Sequence, residues 1–161
     1  MYSFTKKVNI NASIAQTWRK LSQLETIATW THLIEKSFIR SELQNGFGVE
    51  RTCILPNKNR LIETVDEWES EKSLGYKIVG LSVAKHHRES WALKEHGDET
   101  MLTFKLEYEA NIPIIGAFLE RTIFRYIMNR DMTRLVAEFK YYVENGVGAP
   151  NKAVLALDDV V

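Results

Sequence analysis

Between residues 34 and 109 the chain repeats one pattern six times: a short segment rich in β-branched and aromatic residues, closed by a polar turn. The segments are Ile34 to Leu43, Val49 to Leu55, Leu61 to Trp68, Leu74 to Leu81, Arg88 to Lys94 and Thr100 to Glu109. Asn45-Gly46 is a hairpin signal, with Gly48 just after it. Pro56-Asn57-Lys58-Asn59, the charged Glu69 to Lys72 and His96-Gly97-Asp98 close the others. Parallel pairing needs a crossover of a dozen or more residues, and these links are too short for one. The segments therefore predict an antiparallel meander.

The flanks complete an α+β plan. Residues 2 to 10 alternate as a first strand, with Phe4, Val8 and Ile10 on one face and Lys7 and Asn9 on the other. Asn11 and Ser13 are good N-caps, and Gln16 lies three after Ser13 in capping-box spacing. A helix is expected from there to about Leu24, with Ile14, Trp18, Leu21 and Leu24 on its apolar stripe, and a short second helix from Glu25 to Trp30. Pro113 opens a long helix, Ile114 to Glu144, which Asn145-Gly146 stops. We divide the chain into one domain, 1–145, and a tail, 146–161, whose Ala153 to Leu157 run is apolar enough to dock on the body or on a partner.

Composition narrows the function classes. Basic and acidic residues number 21 each, without the basic excess of a nucleic-acid binder, so no nucleic-acid partner is expected. No apolar run spans a bilayer, so stable membrane insertion is not expected either. The lone Cys53 excludes an internal disulfide, and the opening Met-Tyr-Ser-Phe-Thr-Lys-Lys carries no apolar run behind its lysines. The expected setting is reducing and cytoplasmic. No cofactor or metal is expected. His86 and His87 would point to opposite faces of a strand, no His-x-x-x-His or Cys-x-x-Cys spacing occurs, and Gly46-Phe47-Gly48 leads into a strand rather than a helix.

Several stretches sharpen the plan. Val8-Asn9-Ile10-Asn11-Ala12-Ser13 followed by Trp18, then Trp30, Gly46-Phe47-Gly48-Val49-Glu50-Arg51, Leu61-Ile62-Glu63 and Gly97-Asp98-Glu99-Thr100 together resemble the START-like superfamily, also described as Bet v 1-like, SRPBCC or polyketide cyclase/dehydrase-like. The resemblance covers about residues 4 to 144. It implies a helix-grip fold: a seven-stranded curved antiparallel sheet wrapped round a long C-terminal helix, with two short helices after strand 1 and a cavity between sheet and helix. Families of this fold include lipid carriers, hormone-binding proteins, aromatase/cyclases and chaperone-associated domains.

Alternate strand residues share a face, and the phase of the largest apolar residues gives a candidate lining. It runs Val49, Arg51, Cys53 and Leu55; Leu61, Glu63 and Val65; Leu74, Tyr76 and Ile78; His87, Glu89, Trp91 and Leu93; and Leu102, Phe104, Leu106 and Tyr108. The long helix would add Phe118, Leu119, Thr122, Tyr126 and Met132. Apolar walls with a few polar anchors suit a ligand site. From this lining we take Arg51, Glu63, Tyr76, Glu89, Trp91, Phe104, Tyr108, Phe118, Thr122 and Tyr126 as the candidate binding residues. Two placements of Arg51 and Glu63 stay open. They are either an inward pair, with Arg51 free to grip a carboxylate or ketone oxygen, or a cross-strand ion pair on the solvent face. His87 is read as a solvated strand end, and Cys53 as a small buried hydrophobe.

Three functions fit. The first is a carrier of a small hydrophobic molecule such as a lipid, isoprenoid or polyketide. The second is a cyclase- or dehydrase-like enzyme, with Arg51 polarising a carbonyl, Glu63 or Glu89 as base and a tyrosine as donor. The third is an interaction module. Residues 114–128 are apolar on nearly all sides, which fits burial on both sides or a homodimer contact better than a membrane surface, because Glu120, Arg121 and Arg125 interrupt the run.

Overall fold

The alternation that predicts a meander becomes a single seven-stranded antiparallel sheet in the computed structural model, which describes residues 1–81, 84–110 and 117–161, without the side chains of Lys85, Ala110 and residues 117–121. The strands are β1 (Tyr2–Ile10), β2 (Lys36–Ile39), β3 (Glu50–Ile54), β4 (Arg60–Glu69), β5 (Ser73–Val79), β6 (Ala84–His96) and β7 (Glu99–Ala110). Their order across the sheet is β1-β7-β6-β5-β4-β3-β2. Only β1 is out of sequence order, returning to pair with β7 from Tyr2 opposite Tyr108 to Ile10 opposite Thr100. The first meander segment is shorter than its alternation suggests, because the chain after Ile39 bends through Gly46 and Gly48, both at positive φ.

Ser13 caps α1 (Ile14–Leu21), its hydroxyl accepting from the Gln16 amide while the Gln16 side chain accepts from the Ser13 amide. A 3-10 turn at Leu24–Thr26 and a single helical turn, α2 (Ile27–Trp30), follow. The long helix α3 (Ala117–Asn145) runs about 44 Å at 1.5 Å per residue across the concave face of the sheet. Its predicted first turn, with Pro113 and Ile114, lies outside the described residues. Met132, Leu135, Val136, Phe139 and Tyr142 are buried, with Phe124 and Met128 half-buried along the same stripe. This corrects the expected helix phase. Thr122 and Tyr126 face away from the sheet, Tyr126 being 68% exposed. Ile123 and Ile127 are also exposed, so the body does not bury both sides of this stretch. The physical reason is that the sheet curls round one face of the helix only.

Two bulges shape the sheet near the site. One, between Val65 and Glu67 on β4, brings Asp66 and Glu67 together on the Arg88 guanidinium, at 2.9 and 2.7 Å. Gly75 makes room for that contact, since a Cβ there would sit 2.6 Å from Arg88 Nη2. The other falls between Lys85 and Arg88 on β6, with His86 at φ 48°. A bulge re-aims the side chains on either side of it.

The tail folds back onto the domain. Gly148 crosses against α2, where a Cβ would lie 2.3 Å from the Thr29 carbonyl oxygen. Val160 is buried, and Val161 exchanges two backbone hydrogen bonds with Lys7, at 2.6 and 2.9 Å. The outer edge of β1 is thus partly covered, which blunts an edge open to pairing with another chain.

Candidate functional site

Aromatic side chains divide the space between sheet and α3. Trp91 on β6 packs on Phe104 of β7 (ring centroids 4.8 Å apart) and on Phe139 of α3 (5.3 Å), while Trp30 meets Phe139 at 5.2 Å and stacks on Tyr142 at 6.1 Å. These rings plug one part of the interior. Beside the plug remains a cavity of about 160 Å³, walled by apolar residues of the sheet and its approaches (Ile27, Ile34, Leu55, Leu61, Leu81) and of the helix (Met128, Met132, Leu135). Glu63, His87, Glu89, Thr31 and Asp131 interrupt these walls with polar groups. A void of about 20 Å³ adjoins it, bounded by Arg51, Tyr76, Glu89 and Trp91. On the outside, a wider cleft of about 530 Å³ shares Leu33, Leu55 and Asp131 with the cavity and carries Arg130, Arg134 and Lys152.

Arg51 and Glu63 face inward and stand opposite each other on β3 and β4. Arg51 Nε donates to Glu63 Oε2 at 2.7 Å, Nη2 makes a further short contact with the same oxygen, and Nη1 donates to the Leu24 carbonyl. The guanidinium also lies 5.0 Å from the centre of the Tyr76 ring. Burial works against the Arg51 charge, but the Glu63 carboxylate outweighs it and holds the guanidinium protonated beyond its ordinary range. Burial likewise raises the Tyr76 phenol, and it pushes the neighbouring Cys53 thiol up to about 12. Each nitrogen of the Arg51 guanidinium thus has an acceptor, three of its five N–H groups being used, and its charge is balanced by Glu63.

His87 overturns the expectation of a solvated strand end. It is 7% exposed, on the cavity wall, with Nε2 3.6 Å from Glu89 Oε1, too long for a hydrogen bond. Neither of its ring nitrogens has a hydrogen-bond partner among the described residues. The physical reason is that β6 stays paired with β5 as far as Ile78 opposite His87, so the inward phase shared with Glu89, Trp91 and Leu93 holds to this residue instead of fraying before it.

The other candidates scatter. Glu89 borders both the cavity and the void, and Tyr76 and Trp91 border the void alone. Phe104 belongs to the aromatic plug. Tyr108 packs between Phe4 and Phe124, its hydroxyl unpaired among the described residues. Thr122 and Tyr126 are on the exposed side of α3, and the Phe118 side chain lies outside the described residues.

Sequence reasoning missed Glu138. This buried α3 carboxylate accepts from the Thr31 hydroxyl (2.9 Å), the His32 backbone N–H (3.1 Å) and Arg134 Nε (2.9 Å), and it lies 2.9 Å from His32 Nδ1. It pins the segment after α2 to the helix at the cavity's edge. Burial alone would raise its pKa, but its contacts with His32 and Thr31 prevail and hold it below the ordinary carboxylate value. Its only sequence signal is Arg134 four residues earlier on the same helix.

Comparison with known proteins agrees with this architecture. Solved structures that superpose on the chain include a protein from Thermus thermophilus, at 19% identity and TM-score 0.74 over 88% of this chain and 97% of that one. A START superfamily protein from Mycobacterium smegmatis matches at 14% identity and TM-score 0.71, over 91% of this chain and all of the other. The allergen Ara h 8.0201 matches at 10% identity and TM-score 0.67, over 88% and 97%. No curated protein sequence is significantly similar. At these identities the likeness establishes the fold, which is the START-like, Bet v 1-like helix grip. The family model described as polyketide cyclase / dehydrase and lipid transport matches residues 1–144, nine-tenths of the sequence, and the chain belongs to that family.

Proposed function

We propose that the chain binds a small hydrophobic molecule in the cavity between sheet and α3, as a carrier or sequestering protein. The observation that carries this reading is the cavity itself. Its 160 Å³ of apolar-walled space remains beside a tightly packed aromatic plug, with a few polar groups converging on it. An engineered apolar cavity of about 150 Å³ accepts a benzene-sized guest, so a ligand of one ring and a few carbons matches this space. The outer cleft that shares Leu33, Leu55 and Asp131 with the cavity is the natural approach. A reducing, cytoplasmic setting fits the single, buried Cys53.

One observation favours a second reading, an enzyme of the cyclase or dehydrase kind. His87 and Glu89 are two titratable groups side by side on the cavity wall, as proton transfer to and from a bound substrate requires.

Native mass spectrometry of the protein from its own host, followed by denaturing extraction, tests both. A stoichiometric apolar compound released unchanged supports the carrier. A compound converted on incubation with fresh protein supports the enzyme. A clean ligand-free mass, together with no uptake of small aromatic probes, overturns the cavity reading.

A further inference from the structure

The cavity's polar groups are unevenly matched, and the mismatch bears on what it takes. This step rests on the cavity being the ligand site. Arg51, the buried cation beside it, has its charge balanced by Glu63 and an acceptor on each of its three nitrogens. The described wall residues include no Lys or Arg, but three carboxylates: Glu63, Glu89 and Asp131. Glu63 is neutralised by Arg51, and Asp131 by Arg130 at 2.8 Å. Glu89 borders the small void with Arg51 and Tyr76, and its one ion-pair contact among the described residues is His87, at 3.6 Å. His87, more than nine-tenths buried, leaves both ring nitrogens unpaired among the described residues.

Such a group costs stability in the empty protein, and a pairing ligand recovers that cost. A ligand carboxylate would enter a space already bordered by Glu89 and find no free cation among the described wall residues. A hydroxyl or amine complements both groups, donating to the Glu89 carboxylate while sharing a hydrogen bond with the His87 ring. We infer that the cavity selects a compact apolar molecule ending in a hydrogen-bond donor, a hydroxyl or an amine, and rejects the corresponding carboxylate, with His87 and Glu89 as the residues that hold the donor.

Four probes of one shape test this: para-ethyltoluene, para-ethylphenol, para-ethylaniline and para-ethylbenzoate, titrated into the full-length protein and followed by amide NMR. The phenol or the aniline should bind about tenfold or more tighter than the toluene, the gain expected from a hydrogen bond to a charged group, with the benzoate weakest. Whichever of the two is tighter identifies the donor. His87→Leu and Glu89→Leu should each bring that donor probe within about twofold of the toluene, because the anchoring hydrogen bond is gone. The ligand-free His87→Leu protein should also melt higher than wild type, since an unpaired buried imidazole has been removed; a purely structural histidine would give the opposite shift. If the toluene binds and the benzoate is tightest, or if neither donor probe exceeds the toluene, the donor inference fails while the cavity reading stands. If none of the four binds, both fail.

Discussion

Removing either member of the buried Arg51–Glu63 pair should destabilise the fold far more than removing both. Their side chains are 4% and 5% exposed, so each charge is held out of water almost entirely by the other. Arg51→Met leaves the Glu63 carboxylate without its principal donors, and Glu63→Leu leaves a guanidinium whose remaining contacts are the Leu24 carbonyl and the Tyr76 ring. Breaking such a buried pair costs about 3–5 kcal/mol, whereas replacing both partners with apolar residues of similar volume is often neutral or stabilising. For a chain of this length, about 2–4 °C per kcal/mol turns each single substitution into a fall in Tm of roughly 6–20 °C. The double variant Arg51→Met/Glu63→Leu should lie within about 1 kcal/mol of wild type, giving a coupling energy of several kcal/mol. Urea unfolding followed by tryptophan fluorescence measures all four corners of the cycle, since Trp18, Trp30 and Trp91 are buried and report on the core. Single variants that each cost less than about 1 kcal/mol, the range of exposed ion pairs, would refute the claim that this pair is a desolvated structural unit.

Three further outcomes follow from the same geometry. Cys53 is fully buried and its thiol is pushed up to about 12, so a disulfide reagent at pH 8 should label it only as fast as the protein unfolds; rapid labelling of the native state contradicts the burial. Glu138→Leu should cost about 2–3 kcal/mol at pH 7 by removing a buried carboxylate hydrogen-bonded to charged and polar partners. Because the Glu138 pKa is depressed on folding, its charge-dependent stabilisation is present above the unfolded carboxylate value of about 4.3 and is lost as pH falls through the folded value. The Tm gap between wild type and this variant should therefore narrow on acidification, and a gap that stays constant argues against an electrostatic role. Gly148→Ala should push the tail away from the Thr29 carbonyl at a cost of about 1–3 kcal/mol, and it should strip protection from the Lys7 amide in hydrogen exchange; an unchanged Lys7 amide would show that the tail does not guard the β1 edge.

What the sequence conveys depends on whether neighbours along the chain or across it decide the outcome. Strand phase is local. Arg51, Cys53, Glu63, Tyr76, Trp91 and Phe104 all point inward as alternation says, because large apolar residues recur at every second position of β3 to β7 and only one phase buries them. The first half of α3 carries no such signal. Its apolar residues surround the helix, so Thr122 and Tyr126 look as inward as Phe124 and Met128 until the sheet is in place. His87 shares the phase of Glu89, Trp91 and Leu93, but how far the pairing of β6 with β5 extends, which separates a buried histidine from a frayed strand end, has no local mark. Glu138 meets Thr31 and His32 across more than 100 residues, and the Val161–Lys7 pairing is made by backbone, which has no side-chain signature.

The same distinction explains why the charged pair that alternation locates is not the group we propose for holding a ligand. Arg51 and Glu63 stand in register on adjacent strands, so the sheet itself brings them together, and groups satisfied by the sheet have little left to offer a guest. His87 stands opposite the apolar Ile78 on β5, so the register that turns it inward supplies no polar partner among the described residues. The interior follows the same logic. Trp30, Trp91, Phe104 and Phe139 come from four different elements, and their composition alone is equally consistent with walls and with filling. Centroid separations of 4.8 to 6.3 Å among them make them filling, and this confines any guest to the space that Leu61, Glu63, His87 and Met132 leave open. On our proposal, a ligand is therefore bounded in size by ring packing that no single segment encodes, and in chemistry by a cavity histidine unpaired among the described residues.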